Sequence, residues 1–361
     1  MIVWIGMFVF IVGLKLLMKN LHTEKQKKNY LMIVGFTLAI LFALRGENYG
    51  GVYDMRVYMD FFERTANTEW SRLFVNPEFE VGFVVLNKLL SYLSHNGRTI
   101  VVFHAFFCTY SVCRFIYKNT NEVFWAFLFF FSLGNMGFFL TGMRQAIAIC
   151  ICLFAVERAK ERKLFSFAVT SLIAFSIHQS ALVFVVMYLL LRLDIFKRDK
   201  KMIVLPIAFM IAFSSQIIRF GQVLSDDVYA AETAKFSFNG IVPILIYAIT
   251  IVGQILFVKS ENDPINGIPS LDQKDPYIGL SMTAMGLGLY FLRFYSMVLE
   301  RISFYFLQGA PVALADVVGY LKRERYGRII EMIIIVLCFL LFLRRLSGAS
   351  YANYIFFWEM V

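Results

Sequence analysis

The sequence predicts an all-α polytopic membrane protein of about twelve transmembrane helices, read as one domain over residues 1–361. Three observations carry that expectation. Mean hydropathy is +0.68. Charged residues make up 17% of the chain, below the roughly 25% of a soluble domain. Apolar runs of about 15–22 residues recur along the whole length, long enough to cross a hydrocarbon core.

In chain order, spans are expected near 2–18, 30–44, 99–117, 123–141, 143–157, 163–177, 179–193, 201–220, 239–258, 277–295, 300–319 and 327–345. The opening "MIVWIGMFVFIVGLKLLMKN" has no basic residue ahead of its apolar run and no small-residue cleavage site after it. It reads as a retained first span, not a cleaved signal. Residues 163–193 would run roughly 46 Å as one helix, against a core of about 30 Å. Both ends of that stretch are basic, so the chain must turn back within it, and "IHQSA" falls at the turn. Cys108, Cys113, Cys150, Cys152 and Cys338 all lie in apolar runs without metal-site spacing. They read as small core residues, not disulfides. No internal repeat or linker interrupts the chain.

The basic connections "KNLHTEKQKKN", "ERAKERK", "RLDIFKRDKK" and "LKRERYGR" agree on one side of the membrane. By the positive-inside rule that side is cytoplasmic and both termini lie outside. The formal charge of +10 is then a property of the loops and calls for no nucleic acid. Arg344 and Arg345, at the outer end of the last span, run against the rule.

On this topology residues 45–98 form one large extracytoplasmic loop, opening with "RGENYGGVYDMRVYMDFF". Two of its segments are amphipathic. Over 52–64, Arg56, Asp60 and Arg64 repeat every four residues beside Tyr53, Val57, Phe61 and Phe62. Over 80–94, Glu80, Asn87, Ser91 and Ser94 share one helical face and the rest is apolar. That second segment is too polar for a span and suits an interfacial helix.

Ionisable groups at membrane depth are costly and mark function by default. Here Arg45, Arg144, His178, Arg219, Arg293, Glu300 and Arg301 all fall at the outer ends of spans. Arg144 stands out, because "LTGMRQAIA" joins two spans tightly and leaves it little room to snorkel. Guanidinium groups suit bidentate binding of phosphate oxygens. A carboxylate or an imidazole can take a proton from a hydroxyl, and aromatic rings offer faces to sugars. A lipid-diphosphate-sugar whose lipid lies in the bilayer fits that set. The sequence holds no D-x-D pair, P-loop, G-x-S-x-G elbow or H-E-x-x-H, so neither a metal nor another cofactor is expected.

A flippase or other transporter would also want arginines, but along a midplane cavity reachable from both sides. An O-acyltransferase would need a histidine facing a cytoplasmic acyl donor, and His178 is expected on the opposite face.

The order of these motifs resembles the EpsG family of Wzy-type bacterial polysaccharide polymerases. Arg45, Asp54 and Tyr58 in the first outer loop carry the first part of the resemblance, and Glu80-x-Gly82 at the start of the amphipathic helix the second. "RQAIA" with Arg144, Gln145 and Ala148, "HQSAL" from His178, "RISFYF" with Arg301, Tyr305 and Phe306, and the terminal "YANYIF" complete it. The resemblance implies a fold similar to the GT-C glycosyltransferases, in the bacterial cytoplasmic membrane with the active site facing outside. It implies an enzyme that joins polyprenyl-diphosphate-linked oligosaccharide repeat units, as donor and acceptor, into a cell-surface polysaccharide. A chain-length regulator and a flippase of the same pathway are the implied protein partners. An O-antigen ligase, with the same chemistry on another acceptor, stays open. On this reading Arg144, Arg301, Arg293 and Arg45 bind the diphosphate, and Asp54 or His178 is the general base. Glu80, Tyr58, Gln145 and Tyr305 position sugars or orient the arginines.

Overall fold

The computed structural model describes residues 1–18, 21–46, 54–192, 215–217, 219, 238–261, 274–294, 296–323, 325–349 and 352–359. Fifteen helices carry the argument here: α1 Ile2–Leu17, α2 Glu24–Leu44, α3 Asp54–Ala66, α4 Val81–Ser91, α5 Arg98–Asn119, α6 Val123–Ser132, α7 Asn135–Thr141, α8 Met143–Lys160, α9 Leu164–Ile177, α10 Val186–Arg192, α11 Phe238–Glu261, α12 Pro276–Phe291, α13 Met297–Leu307, α14 Gly309–Leu321 and α15 Gly327–Ser347. Short 3₁₀ turns at Gln179–Val185, Leu292–Phe294 and Phe357–Glu359 complete the described elements. No strand occurs among the described residues; an isolated antiparallel bridge pairs Arg45 with Phe356.

The bundle is built around α6, "VFWAFLFFFS", in which every residue is buried. A helix apolar on all sides has no face to offer water and belongs at a centre. It packs against α1, α2, α5, α14 and α15. Large apolar side chains are exposed on the outer faces of α1, α9, α11 and α15, among them Leu17, Phe165, Ile249 and Met332. Faces of that size need an apolar surrounding, as a membrane protein has. The five cysteines are free thiols, four of them buried.

Among the described residues, fewer helices than the expected twelve qualify as spans by length and composition. Two described helices are long and apolar enough to cross a membrane unaided, α2 and α5, and up to four spans result if each of two bent pairs counts as one. Several expected spans are shorter helices, including α1, α9 and Gly240–Leu256. α15 runs 21 residues but carries Arg328, Glu331, Arg344 and Arg345. The expected span 201–220 lies outside the described residues apart from 215–217 and 219.

The bent pairs are the expected spans 123–141 and 300–319. α6 and α7 meet at 54° and α13 and α14 at 50°. Gly134, at the first break, has φ +108°, a left-handed conformation open to glycine without strain. A Cβ there would also fall on the Arg345 guanidinium. Backbone groups released by a break within an apolar layer need partners, and here the breaks serve each other. Asn135 Nδ2 donates to Leu307 O at 3.1 Å and to Gln308 Oε1 at 3.3 Å. Nearer the ends, Phe138 stacks on Phe304 at 4.3 Å between centroids, and Gln145 Nε2 donates to Arg301 O at 2.9 Å.

Helices lie over both segments of 45–98 that the pattern singled out. α3 buries Met55, Tyr58, Met59, Phe61 and Phe62 and exposes Arg56, Asp60 and Arg64. α4 buries the polar Asn87, Lys88 and Ser91 together with Phe83 and Val84, while exposing Val81 and Leu89. A polar face turned inward and an apolar face turned outward is the arrangement of a helix at a lipid interface. Lys88 Nζ donates to the carbonyls of Thr65, Ala66 and Thr68 at 3.3, 3.0 and 2.7 Å. It thereby caps the C-terminal end of α3, where unpaired carbonyls gather negative charge. The C-terminal segment folds back beside this loop: Gly46 N–H donates to Ile355 O at 2.8 Å and Tyr354 Oη to Leu41 O at 2.7 Å.

Candidate active site

The candidate residues gather at one end of the bundle, at the ends of α2, α9 and α12 and the starts of α3, α4, α8 and α13. Arg144 is their centre. It is the second residue of α8, two positions after Gly142, so the tight α7–α8 junction fixes its backbone. Its guanidinium pairs with the Glu80 carboxylate, and Nε lies 3.4 Å from Tyr58 Oη. It also lies over the rings of Phe79 at 4.2 Å and Tyr58 at 5.8 Å. Those two rings belong to a cluster with Phe61 and Phe83, with centroid separations of 4.7–5.9 Å. An arginine held by a carboxylate and stacked on aromatic faces has its fork oriented before any ligand arrives.

Glu80 links two parts of the loop pattern. One carboxylate oxygen takes Arg144; the other accepts from Gln179 N–H at 3.2 Å and faces His178 Nδ1 at 3.5 Å. Gly82 makes this possible. A Cβ on Gly82 would fall on Ser176 Oγ and come within 2.7 Å of the Ser176 carbonyl carbon, so α4 and α9 approach closely only with glycine there. Gly82→Ala is expected to force the two helices apart and destabilise the fold by about 1–3 kcal/mol. Thermal unfolding in detergent checks it, with an unchanged midpoint as the contrary result.

His178 ends α9 in extended backbone. Its Nδ1 is also 3.4 Å from Ser180 Oγ, which sits 3.0 Å from Tyr305 Oη. Burial first, then the Arg144 and Arg301 charges, push the imidazole down to about 3, so it is neutral near pH 7. Asp54 is exposed at the first position of α3. The protein wall beside it raises its carboxyl pKa, while Arg301 and Arg144 pull it down. Both arginines thus act on both candidate bases.

Arg301, Gln145, Glu80, Tyr58, Asp54 and His178 therefore assemble around Arg144. Gln145 is buried and holds the Arg301 backbone; no guanidinium is its partner in that bond. Tyr305 is fully buried, with Oη 3.0 Å from Ser180 Oγ, and braces the hairpin from within. Arg45 and Arg293 are placed differently from the expectation. Arg45 is 2% exposed, with Nε 3.4 Å from Met55 Sδ and its charge over Phe42 at 5.8 Å. Its carbonyl accepts from Arg98 at 3.0 Å. A short backbone bridge to Phe356 at the C-cap of α2 draws it inward. Arg293 follows α12 into a second group, pairing with Glu300 at 3.2 Å and hydrogen-bonding Tyr290 Oη.

Arg344 and Arg345 belong to that second group, around a cavity of about 230 Å³ lined by Pro243, Tyr290, Arg293, Glu300, Arg344 and Arg345 among others. The sequence marks these two only as exceptions to the charge rule. Phe79 and Ser180, beside motif residues, were also not assigned.

No curated protein and no solved structure matches the chain. The EpsG family model matches residues 28–358, from the first turns of α2 to the last 3₁₀ turn, and so takes in every residue of both groups. The chain belongs to the EpsG family.

Proposed function

We propose that this membrane protein joins polyprenyl-diphosphate-linked oligosaccharide repeat units into a cell-surface polysaccharide, at the outer face of the bacterial cytoplasmic membrane. The observation that carries the reading is the Arg144 guanidinium, pre-oriented by Glu80, Tyr58 and Phe79, with Arg301 beside it and two candidate bases within their field. Arg144 and Arg301 hold the diphosphate of the growing chain and offset the charge that develops as it leaves. Asp54 takes the proton from the acceptor hydroxyl, because an exposed carboxylate with a raised pKa is a better base than an imidazole held near 3. The bond from the anomeric carbon to the diphosphate oxygen breaks, a bond from that carbon to the acceptor oxygen forms, and the lipid diphosphate departs with its electron pair. His178 acts as a neutral hydrogen-bonding group that keeps Glu80, and through it Arg144, in place.

A flippase is the competing reading. The gathering of these groups at one end of the helices favours transfer over transport. Purified protein given lipid-linked repeat units is expected to produce a ladder of lengthening products, and a chelator is expected to leave the ladder unchanged. An absence of products longer than one unit sinks the polymerase reading. Loss on chelation with rescue by Mg2+ or Mn2+ would instead make Asp54 and Glu80 metal ligands.

A further inference from the structure

A slot runs along the outside of the bundle between α2 and α5, and side chains at four-residue spacing build it. Its floor is small: Gly35 and Ala39 of α2 face Thr109 and Cys113 of α5. A Cβ on Gly35 would come within 2.6 Å of Cys113 Sγ, so the two helices meet closely there. The walls are large and exposed, Met32 and Phe36 on one side and Phe106 and Tyr110 on the other. Towards the far end Phe36 and Phe106 meet across the slot, with ring centroids 5.8 Å apart. At the near end the same two rows continue to Lys28, one turn before Met32, and to Lys118, one turn past Arg114. We propose that this slot holds one acyl chain of an anionic phospholipid, with the lipid's phosphate at Lys28 and Lys118.

Length, width and charge select that occupant. From Lys28 to Ala39 the helix rises about 16 Å, about half of the roughly 30 Å hydrocarbon core, so the slot spans one leaflet. Its volume is about 470 Å³, which over that length is a mean cross-section on the order of 30 Å² (470 ÷ 16). A single hydrocarbon chain fits that width. A helix about 10 Å across, with a section of ~80 Å², does not. Both lysines are exposed at the mouth. Glu24, one turn before Lys28, pairs with Lys27 at 2.8 Å, and Glu157 of α8 pairs with Arg114, so these two carboxylates hold other cations. Basic side chains at the end of an apolar groove between membrane helices suit an anionic head group.

Position separates this lipid from the substrates. α2 ends at Arg45 and α5 begins at Arg98, whose Nη1 donates to Arg45 O at 3.0 Å. Lys28 and Lys118 lie at the other ends of the same two helices. On the orientation that the basic connections predict, the slot therefore opens to the inner leaflet while the candidate active site faces outside. A phospholipid there competes with no glycan and no lipid diphosphate, so its binding is independent of the polymerase reading.

The test is photolabelling of the full chain in phosphatidylcholine nanodiscs that carry a minor fraction of a photoactivatable phosphatidylglycerol, with labelled residues read by mass spectrometry. Two probes are used, one reactive beside the head group and one at the acyl terminus. The first is expected to label the slot near Lys28 and Tyr117 and the second near Phe36 and Phe106, and excess unlabelled phosphatidylglycerol should remove both. Labelling of the exposed face of α15 around Met332 reports ordinary boundary lipid and a folded chain. Lys28→Gln combined with Lys118→Gln should lower labelling of the slot about tenfold and leave the α15 face unchanged. A matched phosphatidylcholine probe that labels the slot as strongly overturns the proposal, as does undiminished labelling in the double variant. Labelling in the reverse order along the slot overturns it too. So does a slot that stays unlabelled, as a partner helix or a second copy seated there would leave it.

Discussion

Arg144→Lys is expected to slow glycosyl transfer by roughly a hundredfold to a thousandfold, the usual cost of losing one pre-oriented donor at a developing anion. Lysine keeps the positive charge, so a role limited to net charge predicts little loss. Three features go with the guanidinium: the fork shared between Glu80 and a ligand, the Nε contact to Tyr58 at 3.4 Å, and the flat stacking on Phe79. An ammonium reproduces none of them. The measurement is the initial rate of ladder formation at saturating lipid-linked substrate, with diphosphate binding followed separately. Full activity in Arg144→Lys would remove Arg144 from the chemistry and leave the active-site reading without its centre.

Asp54→Asn is the second large effect, about a hundredfold to ten-thousandfold in rate, the range for a lost general base. The pH dependence gives the sign. A base must be deprotonated to act, so the wild-type rate should fall as pH drops through the Asp54 pKa. Partial burial raises that pKa from the ordinary aspartate value, against the pull of Arg301 and Arg144, so the acid limb should be shifted up with it. In Asp54→Asn the limb should vanish along with most of the rate, and diphosphate binding should persist. His178→Ala separates the roles. An imidazole near 3 is neutral throughout the working range, so its loss should act through Glu80 and Arg144, weakening diphosphate binding while the acid limb stays. If the limb survives in Asp54→Asn and disappears in His178→Ala, the base is His178.

Much of the site was legible because short motifs carried its local geometry. The resemblance picked out Gly82 two residues after Glu80 without a reason for it, and the structure supplies one, the close approach of α4 to the Ser176 backbone of α9. The tight "LTGMRQAIA" junction announced a pinned arginine, and Arg144 is pinned. The two amphipathic segments were readable because their polar residues recur at helical spacing, although the inward turn of α4's polar face is set by Lys88 reaching the end of α3 and not by pattern alone. What was missed depends on contacts between distant parts of the chain. Arg293 and Arg301 are eight positions apart and looked alike in sequence, yet a 3₁₀ turn and the start of α13 send them to different groups. Arg345 meets Gly134 across 211 positions (345 − 134), a separation that no local period can report. Hydropathy alone also could not show that 123–141 and 300–319 break midway, since the composition stays apolar through both bends.

The two bent pairs run antiparallel and are tied at two levels, Asn135 to Leu307 and Gln308 and Phe138 to Phe304; one helix on, Gln145 of α8 adds a tie to the carbonyl of Arg301. Arg144 and Arg301 sit at the last of these ties. Their mutual repulsion is therefore withstood by covalent neighbours and hydrogen bonds that exist whether or not a lipid is present. A site that must gather its cations around each arriving substrate loses binding free energy to that ordering. One whose competent arrangement is already populated does not. On the proposed polymerase reading the difference falls in the interval between turnovers, where the next lipid-linked unit is expected to meet a site that needs no reassembly.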